Sequence, residues 1–387
     1  MNLTVLSGNG LSTAFNPDLR LDLLCHEVIR RIDASNAQIG DSEERDLPLQ
    51  TVANLMAEVA RHLDGNDPTE DFEVLIGAFV AQRHAIQHMN RLARALAPED
   101  EVLAQALAES AKFARSVSDE GISHVLEIIS ERSMAYAERQ APLENFVEAI
   151  ASAFPGKITF ANLNYDTMLH AALLGTVKSE LCDLADGRRK ITVKDEDGKI
   201  FSCVALRTTL SFPSTTRIRL LQLHGSYSWW YDPEQEKTEL VVRFEAWQVR
   251  DESFLAQVRS ETMNLRPAVV LSNQLNKTTE IRSYPFSLAY EGFGLSLRSS
   301  SHWLIVGYSF RDDAVNASLR EALGERDRSA RPKVLVITLG VSPSRKEVEQ
   351  ALGWGKSEGP SDWLTFHRDG VVDATKSNDW TNWSCSS

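Results

Sequence analysis

An asparagine and an aspartate follow an apolar run in the segment FANLNYDTML, residues 160–169. The preceding KITFANL is typical of a buried strand and TMLHAALL continues at helical spacing, so Asn164 and Asp166 lie where a strand ends. In an open α/β sheet, ligands bind in the crevice at the carboxyl ends of the strands. Asn and Asp are also frequent helix caps, which is their commoner role. This segment alone therefore leaves ligand binding and capping open.

Three other segments have the same form, an apolar run followed by a polar or glycine-containing end. They are SGNGLS (residues 7–12), LHGS (223–226) and GYSFRDD (307–313). A doubly wound sheet places the carboxyl ends of its strands side by side along one crevice. Four such ends in one chain favour a shared binding site over four independent caps.

Apolar periodicity predicts the elements that hold these ends. LTVLS predicts a first strand, after which Gly8 and Gly10 allow a tight turn and Ser12 can open a helix. Residues from about 18 to 154 repeat apolar side chains at i, i+3 and i+4, which indicates helices. KITFANL and IRLLQLHGS predict further strands, and DEDG predicts a hairpin turn. PAVVLSN, HWLIVGYSF and KVLVITLG are continuous apolar runs that suit parallel strands buried on both faces.

The predicted fold is therefore α/β, a doubly wound parallel sheet of Rossmann-like type with a large all-helical insertion. We expect a core over residues 1–345, made of residues 1–17 and 155–345. Residues 18–154 are the expected helical insertion, and residues 346–387 are expected to form a C-terminal tail that packs on the core.

Composition excludes several classes of protein. The 387-residue chain is 43% hydrophobic and 25% charged, which is typical of a globular protein with an ample core. Its net charge of −13 argues against strong direct binding to nucleic acid. The opening MNLTVLSGNG lacks the pattern of a signal peptide, and no apolar stretch approaches the roughly 20 residues that span a bilayer. We expect a cytoplasmic protein without direct membrane binding.

The sequence contains histidines and cysteines, which can bind zinc, but their spacing is not that of a zinc motif. His84 and His88 lie at i and i+4 in RHAIQH, but the Glu of H-E-x-x-H and a nearby third ligand are missing. We interpret them as part of a solvated or partner-facing helix face. The absence of any C-x-x-C pair argues against a zinc ribbon and a disulfide framework. The four cysteines are Cys25, Cys182, Cys203 and Cys385.

Two further groups of side chains are noteworthy. The aromatic segment YSWWYDP follows directly after His224, and it either walls a binding pocket or packs in the core. Arg311, Asp312 and Asp313 are typical of a capping and salt-bridge cluster with Asn316.

In their order and spacing, the four strand ends resemble the sirtuin family, and in particular its bacterial sirtuin-like branch of antiphage defence. Sirtuins open with a Gly-Ala-Gly-x-Ser loop that holds the pyrophosphate of NAD. Gly8, Gly10 and Ser12 match this loop, with Asn9 in place of Ala. The resemblance covers roughly residues 1–15 and 156–340.

The later motifs match in the same order. Asn164 and Asp166 match Thr-Gln-Asn-Ile-Asp, whose Asn and Asp line the nicotinamide-ribose pocket of sirtuins, and LRPAVVLSN lies where sirtuins have an Arg-Pro-x-Val-Val strand. The remaining matches concern the His-Gly motif and the Gly-Thr-Ser motif that contacts the cofactor ribose and phosphate. They are His224 and Gly225 for the first, and Gly307, Tyr308 (in place of Thr) and Ser309 for the second.

Two departures shape the expected activity. The chain lacks the two C-x-x-C pairs that hold zinc in sirtuin deacylases, and the deacylases have no counterpart of the long helical block. Both features are typical of sirtuin-like NAD hydrolases. The resemblance therefore implies NAD+ as substrate without a zinc ion, and it makes protein deacylation or ADP-ribosyl transfer the weaker interpretation.

The expected reaction gives the residues their roles. Cleavage of the nicotinamide–ribose bond passes through an oxocarbenium-like centre, as in glycoside hydrolysis. Asn164 would orient water or the ribose hydroxyls, and Asp166 would fix the pocket loop and hydrogen-bond to the carboxamide or its neighbours. His224 would accept a proton from a ribose hydroxyl or from water. Cofactor binding is expected from Gly8, Asn9, Gly10, Ser12, Gly225, Gly307, Tyr308 and Ser309.

The sequence thus predicts an NAD+ glycohydrolase that yields nicotinamide and ADP-ribose, a toxic effector of antiphage defence. Since free NAD hydrolysis is toxic, we expect a trigger in a separate polypeptide, such as a HerA-like hexameric ATPase or an Argonaute-like protein, and a homo-oligomer formed through the helical block. The alternative is a sensor or scaffold subunit that binds NAD or ADP-ribose without turnover.

Overall fold

The structure of the chain is a computed structural model. It describes residues 1–37, 58, 77, 85–86, 88–97, 100–135, 140–185, 189–194, 200–232, 240–251, 254–255, 257, 265–271, 274–327, 331–355 and 360–385.

The helices of the described residues are numbered here in chain order. They are α1 (Asn9–Phe15), α2 (Leu21–Ala37), α3 (Glu101–Ala135), α4 (Ala141–Ala153), α5 (Met168–Val177), α6 (Ala246–Val249), α7 (Gln274–Glu280), α8 (Phe286–Ser299), α9 (Asp313–Gly324), α10 (Arg345–Ala351) and α11 (Asn378–Ser384), with 3-10 turns at Pro17–Leu19 and Ala374–Lys376. Residues 88–96 are also helical. Within these ranges, none of the helices combines the length and the apolar character that crossing a membrane requires.

One sheet of the described residues is made of the strands β1 (Leu3–Ser7), β2 (Ile158–Asn162), β3 (Leu181–Cys182), β6 (Ile218–Gln222), β10 (His302–Val306), β11 (Lys333–Ile337) and β12 (Leu364–His367). All neighbours in it are parallel, and their order is β12-β11-β10-β1-β2-β6-β3. This confirms the predicted doubly wound α/β sheet.

Both faces of this sheet are covered, which explains its continuous apolar strands. Successive side chains of a strand point to opposite faces. In β1, Leu3 and Val5 accordingly join a core cluster with helices α1, α4, α5 and α11, whereas Leu6 joins a second cluster with α8, α9 and α10. Helix α4, which falls inside the predicted insertion, thus packs on the sheet itself. The predicted domain boundaries stay a prediction.

The register brings four strand ends to one level. Ser7 at the end of β1 pairs with Asn162 of β2 on one side and with Val306 of β10 on the other, and Asn162 pairs in turn with Gln222 of β6. The loops that follow these four strands therefore leave the same edge of the sheet side by side.

A second sheet has five antiparallel strands in the order β4-β5-β8-β7-β9. They are β4 (Lys190–Lys194), β5 (Ile200–Ala205), β7 (Gly225–Tyr231), β8 (Val241–Phe244) and β9 (Arg266–Val269). The prediction of a parallel strand at PAVVLSN is therefore wrong, since β9 pairs antiparallel with β7. Strands β4 and β5 pair antiparallel, as a hairpin requires, and the DEDG turn itself lies outside the described residues.

Helices α2 and α3 pack against each other beside the sheet edge. Their shared apolar cluster includes Leu24, Val28 and Ile129, together with Tyr165 from the loop after β2. Arg31 of α2 forms ion pairs with Glu127 at 2.9 Å and with Glu131 at 2.6 Å, both on α3. These contacts hold the helix pair against the loop that carries Asn164 and Asp166.

The segment predicted as a C-terminal tail contributes to the core. Strand β12 is the edge strand of the parallel sheet. On α11, Trp380 and Trp383 are buried and contact the ring of Phe154.

Candidate functional site

A cleft opens at the carboxyl edge of the parallel sheet. One side is polar, because Asn9, Asn164 and Asp166 line it. The other side is an apolar wall from the 3-10 turn at Pro17–Leu19 and the helices α2 and α3. The lining residues are Asn9, Leu19, Leu21, Leu24, Ile129, Leu163, Asn164, Tyr165 and Asp166.

Ser12, Asn164 and Asp166 form a buried hydrogen-bonded group, here called the β2 cluster. The Ser12 hydroxyl donates to Oδ2 of Asp166 at 2.6 Å and accepts from Nδ2 of Asn164 at 2.7 Å. The same Nδ2 also donates to the carbonyl of Gly8 at 3.1 Å. The first loop and the loop after β2 are therefore joined by their own site residues.

Asn164 and Asp166, which could both be helix caps, form different hydrogen bonds. Oδ1 of Asp166 accepts from the backbone N–H of Met168 at 2.9 Å, so Asp166 does satisfy the first turn of α5. The amide of Asn164 bonds to the first loop instead of to α5. Capping thus accounts for the Oδ1 bond of Asp166 to Met168 and for neither of the bonds that Nδ2 of Asn164 donates.

A second layer of hydrogen bonds lies behind the β2 cluster. Asn162, the last residue of β2, accepts from the Ser7 hydroxyl at 2.8 Å and donates to Oε1 of Gln222 at 2.9 Å. Its Nδ2 also donates to the backbone carbonyl of Asn164 at 3.1 Å. This layer links the ends of β1, β2 and β6 and fixes the loop above them.

Burial changes the ionisation of Asp166. The side chain is only 4% exposed, and this burial raises the pKa of its carboxyl, while the hydrogen bonds from Ser12 and Met168 act in the opposite direction. A buried carboxyl surrounded by uncharged donors favours its neutral form, because burial penalises the charge.

The glycines of the first loop are required by close packing. A Cβ on Gly8 would lie 2.7 Å from the carbonyl oxygen of Gly307, and one on Gly10 would lie 2.6 Å from the Gly307 Cα. Gly307 itself has a φ of +58°. The loops after β1 and β10 thus touch through their backbones. Helix α1 begins at Asn9 with Gly8 as N-cap, so the expectation that Ser12 opens this helix is wrong.

His224 lies in the turn between β6 and β7, beside the cleft. Its ring centroid is 6.4 Å from that of Tyr165, which lines the cleft and donates its hydroxyl to the carbonyl of Val270 at 2.7 Å. The backbone N–H of Val270 donates to the carbonyl of His224 at 3.0 Å. These contacts position the imidazole next to, but not among, the described residues that line the cleft.

His224, Lys277 and Asp312 form a second buried group, and together with the half-buried Tyr290 they are here called the His224 cluster. Nε2 of His224 lies 3.2 Å from Oδ2 of Asp312, and Nζ of Lys277 lies 2.7 Å from the same oxygen. The hydroxyl of Tyr290 is 3.4 Å from Nε2 of His224. The His224 cluster is therefore built on charge, unlike the β2 cluster.

Asp312 combines the predicted capping role with this ion pairing. Its Oδ1 accepts from the backbone N–H groups of Ala314 and Val315, both at 3.0 Å, and so caps helix α9. Burial alone would raise the pKa of its carboxyl, but the neighbouring His224 and the charge of Lys277 hold that pKa well below the usual range.

The remaining predicted residues are less close to the cleft. Gly225 has a φ of +83° and approaches the backbone of β9, where a Cβ would lie 2.0 Å from the Ala268 carbonyl oxygen. Tyr308 is buried, and its hydroxyl donates within the loop to the Asp312 carbonyl at 3.1 Å. Ser309 is exposed at the start of the same loop.

The other candidates have structural roles or lie outside the described residues. Tyr227, Trp229 and Trp230 of YSWWYDP are buried in core clusters, so these aromatic residues pack in the core instead of walling the cleft. His88 is exposed on its helix, and His84 is outside the described residues. Among the residues that the structure describes, no three His, Cys, Asp or Glu side chains are grouped closely enough to hold a metal ion.

Sequence reasoning missed two contributions to the site. Lys277 gave no motif signal, since its partner Asp312 lies far along the chain. The apolar wall from Leu21, Leu24 and Ile129 was seen only as helix periodicity.

The fold is that of a doubly wound, Rossmann-like α/β protein, in which strand-end loops surround a cleft at the carboxyl edge of a parallel sheet. A family model described as the SIR2-like domain matches residues 158–356, more than half of the chain. The chain therefore belongs to the SIR2-like domain family, which confirms the resemblance to sirtuins at this level. A search of curated proteins found no match. The matched range includes Asn164, His224 and Asp312, and the first loop lies before it.

Proposed function

We propose that the protein is an NAD+ glycohydrolase that cleaves the nicotinamide–ribose bond to give nicotinamide and ADP-ribose. SIR2-like domains bind NAD+, which supplies the substrate class. The observation that carries the proposal is the meeting of Asn164 and Asp166 with Asn9 on one cleft, joined to the glycine loop through Ser12.

The two sides of the cleft suit the two parts of a nicotinamide riboside. The apolar wall suits the flat pyridine ring, and the polar side offers groups that can bond to the carboxamide and the ribose hydroxyls.

In the proposed reaction the bond between C1′ and the nicotinamide nitrogen breaks, and both of its electrons go to that nitrogen. The oxygen of a water molecule bonds to C1′, and this water loses one proton. Since positive charge develops on the ribose, the chain must orient the sugar and the water while the bond breaks. His224 would receive the released proton, directly or through a ribose hydroxyl.

The contacts of Asn164 indicate which of its atoms takes part. Nδ2 already donates to Gly8 and Ser12, so both of its hydrogens are used within the protein. We infer that Asn164 acts through Oδ1, which accepts a hydrogen bond from water or from a ribose hydroxyl.

A second function, binding of NAD+ or ADP-ribose without turnover, is favoured by the position of His224 beside the cleft and not among the residues that line it. Product analysis separates the two. Purified protein is incubated with NAD+, and nicotinamide and ADP-ribose are measured by chromatography. Hydrolysis predicts equal amounts of both products, whereas a sensor predicts NAD+ binding by calorimetry with no product.

We further propose that this activity is the toxic effector of an antiphage defence system, released by a partner such as a HerA-like hexameric ATPase or an Argonaute-like protein. The resemblance to sirtuin-like defence proteins supports this role. The measurement is nicotinamide release with and without the purified partner. Release that the partner does not raise would remove the partner from the proposal.

A homo-oligomer is part of the same proposal. Large apolar side chains are exposed on the helix at residues 88–96 and at the start of α3, where Leu96 is 76% and Val102 is 81% exposed. Such surface is typical of interaction sites. Light scattering after size exclusion should give an assembly, and a monomer at micromolar concentration would contradict it.

A further inference from the structure

The strongest unexplained feature is the buried charge around His224. His224 and Lys277 are each 3% exposed, and Asp312 is 6% exposed. Three ionisable groups at such depth are costly unless they are paired. Capping of α9 needs only Oδ1 of Asp312, so it does not explain why Oδ2 faces an imidazole and an ammonium group.

The contact between Nε2 and Oδ2 determines which imidazole nitrogen carries the proton. A carboxylate oxygen is only an acceptor, so an unprotonated Nε2 facing it at 3.2 Å would place two lone pairs against each other. The contact therefore favours the imidazole form in which Nε2 carries the proton. The tautomer of a neutral imidazole is set by the bond that one ring nitrogen makes, and the other nitrogen then becomes the acceptor.

Lys277 balances the charge of the carboxylate. An unbalanced carboxylate next to an imidazole favours its protonated, cationic form, and a cationic imidazole cannot accept a proton. Since Nζ of Lys277 lies 2.7 Å from the same Oδ2, the ammonium opposes this effect. The pair of Asp312 and Lys277 is neutral overall, so it can orient His224 without forcing it into the charged form.

We propose that Asp312 and Lys277 are positioning residues: Asp312 holds His224 as the Nε2–H tautomer, so that Nδ1 accepts the proton released in NAD+ hydrolysis, and Lys277 keeps the imidazole neutral. The inference rests on the proposed hydrolase function. Asp312 itself does not touch the reacting atoms in this account. Among the residues that the structure describes, the titratable groups with a contact to the imidazole include Asp312, Lys277, Tyr290 and Tyr165.

The tautomer can be tested without turnover. The full chain is labelled with ¹⁵N-histidine, and the ring signals of His224 are assigned by their loss in His224→Gln. At pH 7.5, Nε2 should give the signal of a protonated nitrogen and Nδ1 that of an unprotonated one. The opposite tautomer, with Tyr290 donating to Nε2, would overturn the proposal whether or not the protein hydrolyses NAD+.

The pH dependence of nicotinamide release provides the second readout. Asp312→Asn keeps the helix cap, since Asn caps as well as Asp. It should lower kcat by about 10²–10⁴-fold, as expected when a base loses its orienting carboxylate. In this variant, the rate of nicotinamide release should start to fall at a lower pH than in the wild type. The carboxylate charge that favours the imidazolium form is gone, whereas the charge of Lys277 remains.

Lys277→Gln should move the acidic limb to higher pH, because the carboxylate is then unbalanced. Opposite shifts distinguish positioning from a purely structural role, which would lower the folded fraction without changing the pH profile. Asp313→Asn is the matched control, since Asp313 is exposed beside Asp312. It should retain the wild-type rate and profile.

The outcomes separate the two proposals. A wild-type protein that binds NAD+ but releases no nicotinamide contradicts the proposed function, and the tautomer measurement then decides the inference alone. A wild-type protein that hydrolyses NAD+, with folded Asp312→Asn showing the same rate and profile, contradicts the inference alone.

Discussion

The β2 cluster and the His224 cluster accommodate a buried aspartate in different ways. Both bury polar side chains at the carboxyl edge of one sheet, and each contains one aspartate. In the β2 cluster, Asp166 meets a hydroxyl and a backbone N–H, and burial raises its pKa. In the His224 cluster, burial is outweighed by His224 and Lys277, and the pKa of Asp312 is lowered. The partners, and not the residue type or its depth, thus decide the ionisation of each carboxyl.

The largest expected effect comes from a change at Gly8, whose carbonyl accepts a hydrogen bond from Asn164 of the β2 cluster. Gly8→Val would push a side chain into the Gly307 carbonyl, which a Cβ would already approach to 2.7 Å. We expect a loss of unfolding free energy at the upper end of about 1–3 kcal/mol, together with loss of NAD+ binding. Urea unfolding and calorimetry measure the two effects.

The matched control is Gly324→Ala at the end of α9, where nothing lies within 4 Å of the added Cβ. Because alanine is the better helix former, this variant should gain up to about 1 kcal/mol. A Gly8→Val protein as stable as the wild type would show that the two loops do not depend on their contact.

Ser12→Ala tests the coupling within the β2 cluster. It removes the donor to Oδ2 of Asp166 and an acceptor of Asn164, and it should cost about 2 kcal/mol because buried partners are left unpaired. The pKa of Asp166 should rise further, since the Ser12 hydrogen bond lowers it. Ser344→Ala, an N-cap at the surface, is the control and should cost about 1 kcal/mol. Equal costs would argue against a coupled cluster.

The two aspartates predict opposite effects of pH on stability. Since the folded-state pKa of Asp312 is lowered, its ionised form stabilises the fold above an unfolded pKa of about 3.9, and this stability is lost as pH falls below that value. The folded-state pKa of Asp166 is raised, so stability is lost as pH rises above about 3.9, where the unfolded chain ionises first.

The measurement is the free energy of unfolding of the wild type, Asp312→Asn and Asp166→Asn between pH 3 and pH 7. The difference from the wild type should change with opposite slopes, each at most about 1.4 kcal/mol per pH unit for one proton. Slopes of the same sign would contradict the contrast between the clusters.

The smallest expected effect concerns metal. Since the sequence has no C-x-x-C pair to hold zinc, a zinc chelator should change neither the melting temperature nor nicotinamide release. A large drop in melting temperature would identify a missed site, and His84 and His88 would be the first candidates.

The sequence predicted the fold and the strand ends because both depend on local pattern. Continuous apolar runs predicted the parallel sheet, and the polar ends located Asn164, Asp166 and His224 at its edge. The same rule failed at β9, since a short apolar run has no feature that distinguishes a parallel strand from a buried antiparallel one.

The features of the site that the sequence did not predict depend on contacts between residues far apart in the chain. Asp312 was predicted as a cap, and it is one, but its contact with Lys277 depends on how α7 packs beside α9. The aromatic residues after His224 could not be assigned to pocket or core until the second sheet was known. Periodicity shows which face of a helix is apolar without showing that Leu24 and Ile129 would wall a cleft.

Nicotinamide release by the wild type, Asn164→Ala and His224→Ala tests most directly whether these strand ends form an active site. Melting temperatures on the same samples give the folded fraction, to which each rate is normalised. The wild type, with its partner if one is required, should hydrolyse NAD+, and both folded variants should be slower by about 10²–10⁴-fold. Two folded variants that hydrolyse NAD+ as fast as the wild type would contradict this expectation.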